Sequence, residues 1–208
     1  LVAYIAFGYK SALVIGVSVL SAVLTDLILS LLFLGKKDAL KDGSAAITGL
    51  LLSFTLSPVT PWYMVAFGGS IAVLFGKILW GGMGRNLFNP ALVGREFMSV
   101  FFATTMTSSE IWNTKEFVQH QPFKLFDGIL ISPISDHLSK ILYNTTGAIG
   151  EYSAIAIVAG GLYLIARKRI SWHIPFGILI SFLLLVWFYP DESVIRYSLG
   201  GILLGAIF

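Results

Sequence analysis

The sequence predicts an all-α, polytopic membrane protein: a bundle of transmembrane helices, some of them broken or only half-length. Three observations carry this. Of the 208 residues 56% are hydrophobic and only 12% charged, about half the charge of a soluble domain, and the mean hydropathy is +0.84. Two apolar runs, 11–34 and 62–80, are long enough to cross a ~30 Å hydrocarbon core. Between and after them lie shorter apolar pieces cut by Gly, Pro and Asn, the pattern of helices that enter a membrane and stop.

The composition also excludes function classes. With no cysteine, the chain forms no disulfide, thiolate metal site or cysteine-ligated iron–sulfur cluster. His120, His137 and His173 are far apart and have no metal-ligand spacing. Serine-protease-like triads, paired catalytic carboxylates, a P-loop and a dinucleotide fingerprint are all missing, so any chemistry belongs to a cofactor that the protein binds and orients. The net charge of +3 sits in short clusters; it speaks for membrane orientation, not for nucleic acid.

Along the chain, Ser11–Leu34 is a spanning helix with one carboxylate, Asp26, inside it. An intramembrane carboxylate is a functional candidate; near the helix end it can equally snorkel to the interface. Residues 35–43, with Lys36, Lys37 and Lys41, form a cytoplasmic loop by the positive-inside rule. Residues 44–56 are too short to span and read as a half-helix ended by Ser57-Pro58 and Pro61. Trp62–Trp80 spans, with tryptophans anchoring its ends and Lys77 placed to snorkel.

The following stretch, GGMGRNLFNPALVGR (81–95), holds glycines, asparagines, a proline and two arginines between apolar flanks. Irregular, charged backbone at membrane depth is tolerated only where it is buried in protein or lines a cavity. It reads as a re-entrant turn around something polar. Backbone N–H groups of Gly82 and Gly84, the amides of Asn86 and Asn89, and the charges of Arg85 and Arg95 would suit a phosphate or a cofactor edge. Asn89-Pro90 also reads as a helix N-cap followed by proline at the first helical position.

Residues 88–105 are apolar again, and 106–140 form the one long extramembrane loop, expected on the outer face. Residues 144–166 run apolar behind a Gly-rich lead containing Glu151, and Arg167-Lys168-Arg169 marks the cytoplasmic side. Glu151 reads either as a counterpart of the turn in an opposite half or as a first-turn glutamate favourable to the helix dipole. The similar leads at 41–53 and 147–161 suggest an internal inverted repeat; small-residue helix packing would give the same pattern. Trp172–Tyr189 spans, and a last helix opens at Tyr197. The chain has no starting Met and stops in an apolar run, so residues 1–208 read as one membrane domain cut at both ends.

Four blocks, KDGSAAITGLLLSFTLSPVTPWY (41–63), FGKILWGGMGRNLFNPALVGREF (75–97), GAIGEYSAIAIVAGGLYLIARKRISWHIP (147–175) and LGGILLGAIF (199–208), resemble the NqrB/RnfD membrane subunits of the sodium-pumping NADH:quinone reductase and the Rnf ferredoxin:NAD oxidoreductase. The resemblance covers nearly the whole chain, is closest to the RnfD type, and rests most on the GGxGxNxFNPAxxGR block.

It implies a subunit of a translocating oxidoreductase in a prokaryotic inner membrane, beside other membrane, flavin and iron–sulfur subunits. Electrons would pass through flavin, coupled to Na⁺ or H⁺ movement. FMN is implied on a threonine of a D-x-x-(S/T)-G-A-T-like motif in the long loop, and a second, non-covalent flavin (riboflavin or FMN) among the helices. In FDGILISPI (126–134) Asp127 and Pro133-Ile134 match, but Leu130-Ile131 replace the small pair and Ser132 stands at the acceptor position. Ser132 is therefore either an altered acceptor or a loop serine beginning a turn, and Thr104, Thr105 and Thr107 are weaker candidates. Asp26 and Glu151 are the carboxylates expected to draw a cation toward a charged flavin. A channel, a transporter or a scaffold subunit of the same fold without covalent flavin is the alternative.

Overall fold

The structure is a computed structural model, and it describes residues 2–35, 42–82, 84–112, 148–151 and 154–188. Helices α1 (Val2–Phe7) and α2 (Tyr9–Leu29) meet at Gly8, and α2 continues into a five-residue π-helical turn, Ser30–Leu34. Helix α3 (Ser44–Phe54) has 11 residues, so it is about 16 Å long, half of what a bilayer needs. Helix α4 (Trp62–Gly76) passes through a break at Lys77 into a 3₁₀ turn, Ile78–Trp80. Helix α5 (Pro90–Phe101) is followed by short α6 (Ala103–Met106) and α7 (Ser109–Trp112). A 3₁₀ turn, Ile149–Glu151, precedes α8 (Ala154–Ala166), and α9 (His173–Phe188) follows the turn at Arg167-Lys168-Arg169. The described residues contain no strand.

On α2 the buried face is made mostly of small and polar residues. One stripe of α2, Ser11, Val14, Ser18, Ala22 and Asp26, is buried, while Leu13, Leu20, Leu24 and Ile28 on the other faces are exposed. The stripe recurs every three to four residues, so it forms a single helical face. Small and polar residues inside with large apolar ones outside suit helices packing in hydrocarbon, where burying leucine brings little and close backbone approach brings much. Tyr9–Phe33 and Trp62–Trp80 are long and apolar enough to cross a membrane.

The core lies where α2, α3, α4 and α5 meet. Val14, Leu52, Leu56, Met64, Val65, Ala91, Met98, Met106 and Ile149 form one buried cluster, and Ala22, Ala45, Val73 and Ile78 a second. Glycine sets the closest approach. A Cβ on Gly49 would stand 2.6 Å from the Ser18 carbonyl oxygen, and one on Gly94 would stand 2.5 Å from that of Gly68. Ser18 Oγ uses this proximity to donate to the Gly49 carbonyl at 2.7 Å, and Thr25 Oγ1 ties α2 to Ser70 on α4 at 3.0 Å.

Gly49→Ala is expected to push α2 and α3 apart and to destabilise the chain by about 1–3 kcal/mol. A Cβ at Gly16 meets nothing within 4 Å, so Gly16→Ala should be neutral or stabilising by up to ~1 kcal/mol. Thermal unfolding in detergent checks the contrast; equal melting of the two variants would contradict the α2–α3 packing.

Candidate functional site

Asp26 does not snorkel. It is 0% exposed, and its Oδ2 accepts from Lys77 Nζ at 2.9 Å, 51 residues away. The sequence placed Lys77 as a snorkelling interfacial lysine; the structure buries it, because Lys77 sits at the break after α4 and its ammonium is drawn to the carboxylate on α2. Taking either charge out of water alone is costly, and each offsets the other only because the contact is close and further hydrogen bonds complete it. Lys77 Nζ also donates to Ser44 Oγ at 2.7 Å and lies 3.6 Å from Asp42 Oδ2. Ser30 Oγ donates to Asp26 Oδ1 at 3.3 Å.

Asp42 prepares α3 to join this cluster. Its Oδ1 accepts from the Ser44 N–H at 2.9 Å and the Ser44 hydroxyl at 2.8 Å, while Gly43 takes the left-handed φ of 65° that turns the chain into the helix. Partial burial pushes the Asp42 carboxyl up, but the Ser44 hydrogen bonds and the Lys77 charge outweigh it and hold the group below its ordinary value of 3.8.

The glycine turn is a separate feature. Gly81, Gly82 and Gly84 take positive φ of 91°, 105° and 84°, which makes glycine the fitting residue at each. Gly84, Arg85, Asn86 and Asn89 are exposed, so most of the turn faces outward among the described residues. Asn89 caps α5: its Oδ1 accepts from the Ala91 N–H at 3.0 Å with Pro90 at the first helical position, as the sequence pattern allowed.

Arg95 turns away from the glycine turn. Six residues along α5 from Asn89, its guanidinium donates to the Thr55 carbonyl at the end of α3 and lies 5.2 Å over the Trp112 ring, within cation–π range. The Ile149 N–H donates to the next carbonyl, that of Leu56, at 2.8 Å. Within α3 the Leu52 and Ser53 carbonyls accept from the Thr55 and Leu56 N–H groups at 2.9 and 3.2 Å. Local donors thus close the end of the half-helix, and Arg95 and Ile149 take the two carbonyls just past it. Glu151 is close enough for its charge to act on Arg95, and its Oε2 accepts from the Ala148 N–H at 3.4 Å, a local contact of the first-turn type.

The expected site residues therefore fall into three places. Asp26 joins Lys77, Asp42, Ser44 and Ser30. Gly82, Gly84, Arg85, Asn86 and Asn89 share the turn. Arg95 and Glu151 both lie near the end of α3, Arg95 on the Thr55 carbonyl and Glu151 in the turn whose Ile149 N–H reaches Leu56. Ser132 and the Lys36–Lys41 cluster lie outside the described residues, as does most of the 106–140 loop. Lys77, Ser44 and Asp42 were not singled out as site residues by the sequence. The one available signal was a lysine just inside a spanning helix, opposite in sign to the lone carboxylate of another.

Lys77→Met leaves the Asp26 carboxylate buried without a partner and is expected to destabilise the protein by about 3–5 kcal/mol, with Asp26→Leu/Lys77→Met recovering most of the loss; a double-mutant cycle on thermal melting that shows no coupling would refute the pair. Because the Asp42 carboxyl is lowered, its contribution to stability is present above pH 3.8 and fades as the pH falls through its lowered value. Wild type should thus exceed Asp42→Asn in stability at neutral pH, and acid titration of both proteins should bring the two together below pH 3.8.

A model of the NQR2, RnfD, RnfE family matches residues 1–208. The chain is similar to the D subunit of the Na(+)-translocating ferredoxin:NAD(+) oxidoreductase complex of Acetobacterium woodii, with 33% identity over 97% of this chain and 64% of that protein. The D subunit of the proton-translocating ferredoxin:NAD(+) oxidoreductase complex of Clostridium ljungdahlii is 33% identical over 97% of this chain and 66% of its own length. Its counterpart in the ion-translocating oxidoreductase complex of Alcanivorax borkumensis is 34% identical over 97% and 68%. The chain thus spans about two thirds of the length of these relatives. With its helical membrane fold and a family match from end to end, this chain belongs to the NQR2, RnfD, RnfE family.

Proposed function

We propose that the chain is part of the membrane subunit of an ion-pumping redox complex of the Rnf or Nqr type, carrying electrons through flavin and coupling them to Na⁺ or H⁺ movement. The observation that carries this is Asp26, a fully buried carboxylate on a spanning helix, held by a lysine from a second spanning segment. Buried ionisable groups at membrane depth mark ion or proton pathways. The names of two relatives, one Na(+)-translocating and one proton-translocating, support the same class. The partners are the other membrane, flavin and iron–sulfur subunits of such a complex, in a prokaryotic inner membrane.

For sidedness we take the Arg167-Lys168-Arg169 turn and the 36–41 loop as cytoplasmic and the 106–140 loop as outer. Lys77 contacts Asp26 and Ser44, so the end of α4 and its glycine turn then lie on the same side as the 36–41 loop. The turn partly suits a non-covalent flavin: Gly82 and Gly84 remove side-chain bulk, and Arg85 and Asn86 are exposed. Asn89 and Arg95 contribute less, being engaged in the α5 cap and the α3 terminus. Flavin bound there would supply electron transfer, and these residues would bind its phosphate or ring edge. Ser132 is the candidate for covalent FMN. A channel, transporter or scaffold subunit without flavin is the alternative, favoured by the engagement of Asn89 and Arg95 in purely structural contacts.

In the complex carrying the full-length subunit, reconstituted into liposomes, Asp26→Asn should lower coupled cation uptake on the order of tenfold or more, an effect of at least ~1.4 kcal/mol, while flavin content stays unchanged. Unaltered uptake would remove Asp26 from the pathway. In-gel flavin fluorescence of the denatured subunit, with peptide mass mapping of 107–140, should show an FMN-sized mass on the Ser132 peptide. Absence of flavin in every form from the purified protein would decide for the channel or scaffold alternative.

A further inference from the structure

We propose that Lys77 is a tethered cation: its ammonium occupies the oxygen-lined site at which the translocated monovalent cation, sodium ion or proton, is taken up, and the incoming cation exchanges with it. This rests on the reading of Asp26 as part of the ion pathway and says how that site is kept filled and how it is emptied.

The donor set is the first ground. Around Lys77 Nζ stand Ser44 Oγ at 2.7 Å, Asp26 Oδ2 at 2.9 Å and Asp42 Oδ2 at 3.6 Å. Ser30 Oγ completes the carboxylate on its other oxygen. Hydroxyl and carboxylate oxygens are the ligands that hard cations take, and the ammonium fills the place that a small cation would fill.

Charge is the second ground. Asp26 on α2, Asp42 ahead of α3 and Lys77 after α4 are the charged groups that the described residues bring together here. Within a turn of these groups in sequence, Ala22, Ala45, Val73 and Ile78 form an apolar cluster. Among the described residues the two carboxylates and one ammonium leave an excess of one negative charge, which one more monovalent cation would offset. In surroundings of low dielectric that excess attracts a cation strongly.

Access is the third ground. The Asp42 side chain is 31% exposed, that of Lys77 6% and that of Asp26 0%. The cluster therefore runs from water to the interior, with the ammonium between the two carboxylates. The four-carbon lysine stem lets Nζ move from Asp26 toward Asp42 without displacing a helix. A cation entering past Asp42 then settles on Asp26 and Ser44, and the ammonium shifts to Asp42.

The backbone agrees. All three contributing elements are irregular where they meet: the π-helical turn that starts at Ser30, the break at Lys77 with φ −127°, and the left-handed Gly43. π-Helical turns are rare and recur at functional sites.

The test uses the reconstituted complex with the full-length subunit, measuring turnover against Na⁺ at fixed pH and against pH at fixed Na⁺. Removing the ammonium with Lys77→Met leaves two unneutralised carboxylates and no competitor. For a sodium site the apparent KM for Na⁺ should fall about tenfold or more, with slower maximal turnover. For a proton site the KM for Na⁺ stays and the alkaline limb of the pH profile moves to higher pH. Lys77→Arg keeps the charge and should resemble wild type in both.

Since Lys77→Met is destabilised, Asp42→Asn provides the second variant: it removes the ammonium's alternative position and should raise the KM for Na⁺ or move the alkaline limb to lower pH. The proposal is overturned if Asp26→Asn abolishes cation uptake while Asp42→Asn and any folded Lys77→Met leave both profiles unchanged; Lys77 is then only a clasp between helices. If Asp26→Asn itself leaves uptake intact, the underlying pathway reading fails instead.

Discussion

The architecture depends on one interaction, the buried pair between Asp26 and Lys77. A lone carboxylate in a spanning helix and a lone ammonium at the end of another would each disfavour insertion. Together they fix three elements at one point: the end of α2, the break after α4 and, through Ser44, the first residue of α3. Electrostatics here gives position more than net stability, because the desolvation of both charges offsets most of their attraction. Both groups are buried, and Ala22, Ala45, Val73 and Ile78, each within a turn in sequence of Asp26, Ser44 or Lys77, form an apolar cluster.

A second constraint works at the other end of α3. A half-helix that stops inside protein must have its end closed by protein groups. The Thr55 and Leu56 N–H groups turn back onto the Leu52 and Ser53 carbonyls. Arg95 and the Ile149 N–H serve the Thr55 and Leu56 carbonyls just past the helix, and Ser57 Oγ donates to the Ile111 carbonyl beyond. This gives Arg95 on α5 a structural role at the α3 end. The positive N-terminal end of α3 meanwhile faces the Asp26–Asp42 cluster, where a helix dipole favours negative charge.

Features that depend on neighbouring residues were legible in the sequence. The half-length of α3 follows from Ser57-Pro58, the α5 cap from Asn89-Pro90 and the turn from its glycines, and all three stand in the structure. The membrane class was legible from composition, since bulk hydropathy needs no partner. Features that depend on a distant partner were not. Lys77 reaches across 51 positions to Asp26 and Arg95 across 40 to Thr55, and each residue alone offered a reading nearer to hand: a snorkelling lysine, and a second arginine for the turn. Which face of α5 turns toward α3 decides the latter, and helical spacing cannot state it.

The short α3 has a consequence for how the chain is made. At 11 residues it is not recognised by length as a span when it leaves the ribosome, and the carbonyls just past its far end wait for partners distant in sequence. Arg95 is synthesised 40 residues after Thr55, and Ile149 later still. Until α5 is made the Arg95 contact past the end of α3 cannot form, whereas the close α2–α3 packing at Ser18 and Gly49 already can. The far end of α3 is therefore completed only by residues made well after it, and a chain interrupted before α5 would lack the Arg95 contact at that end.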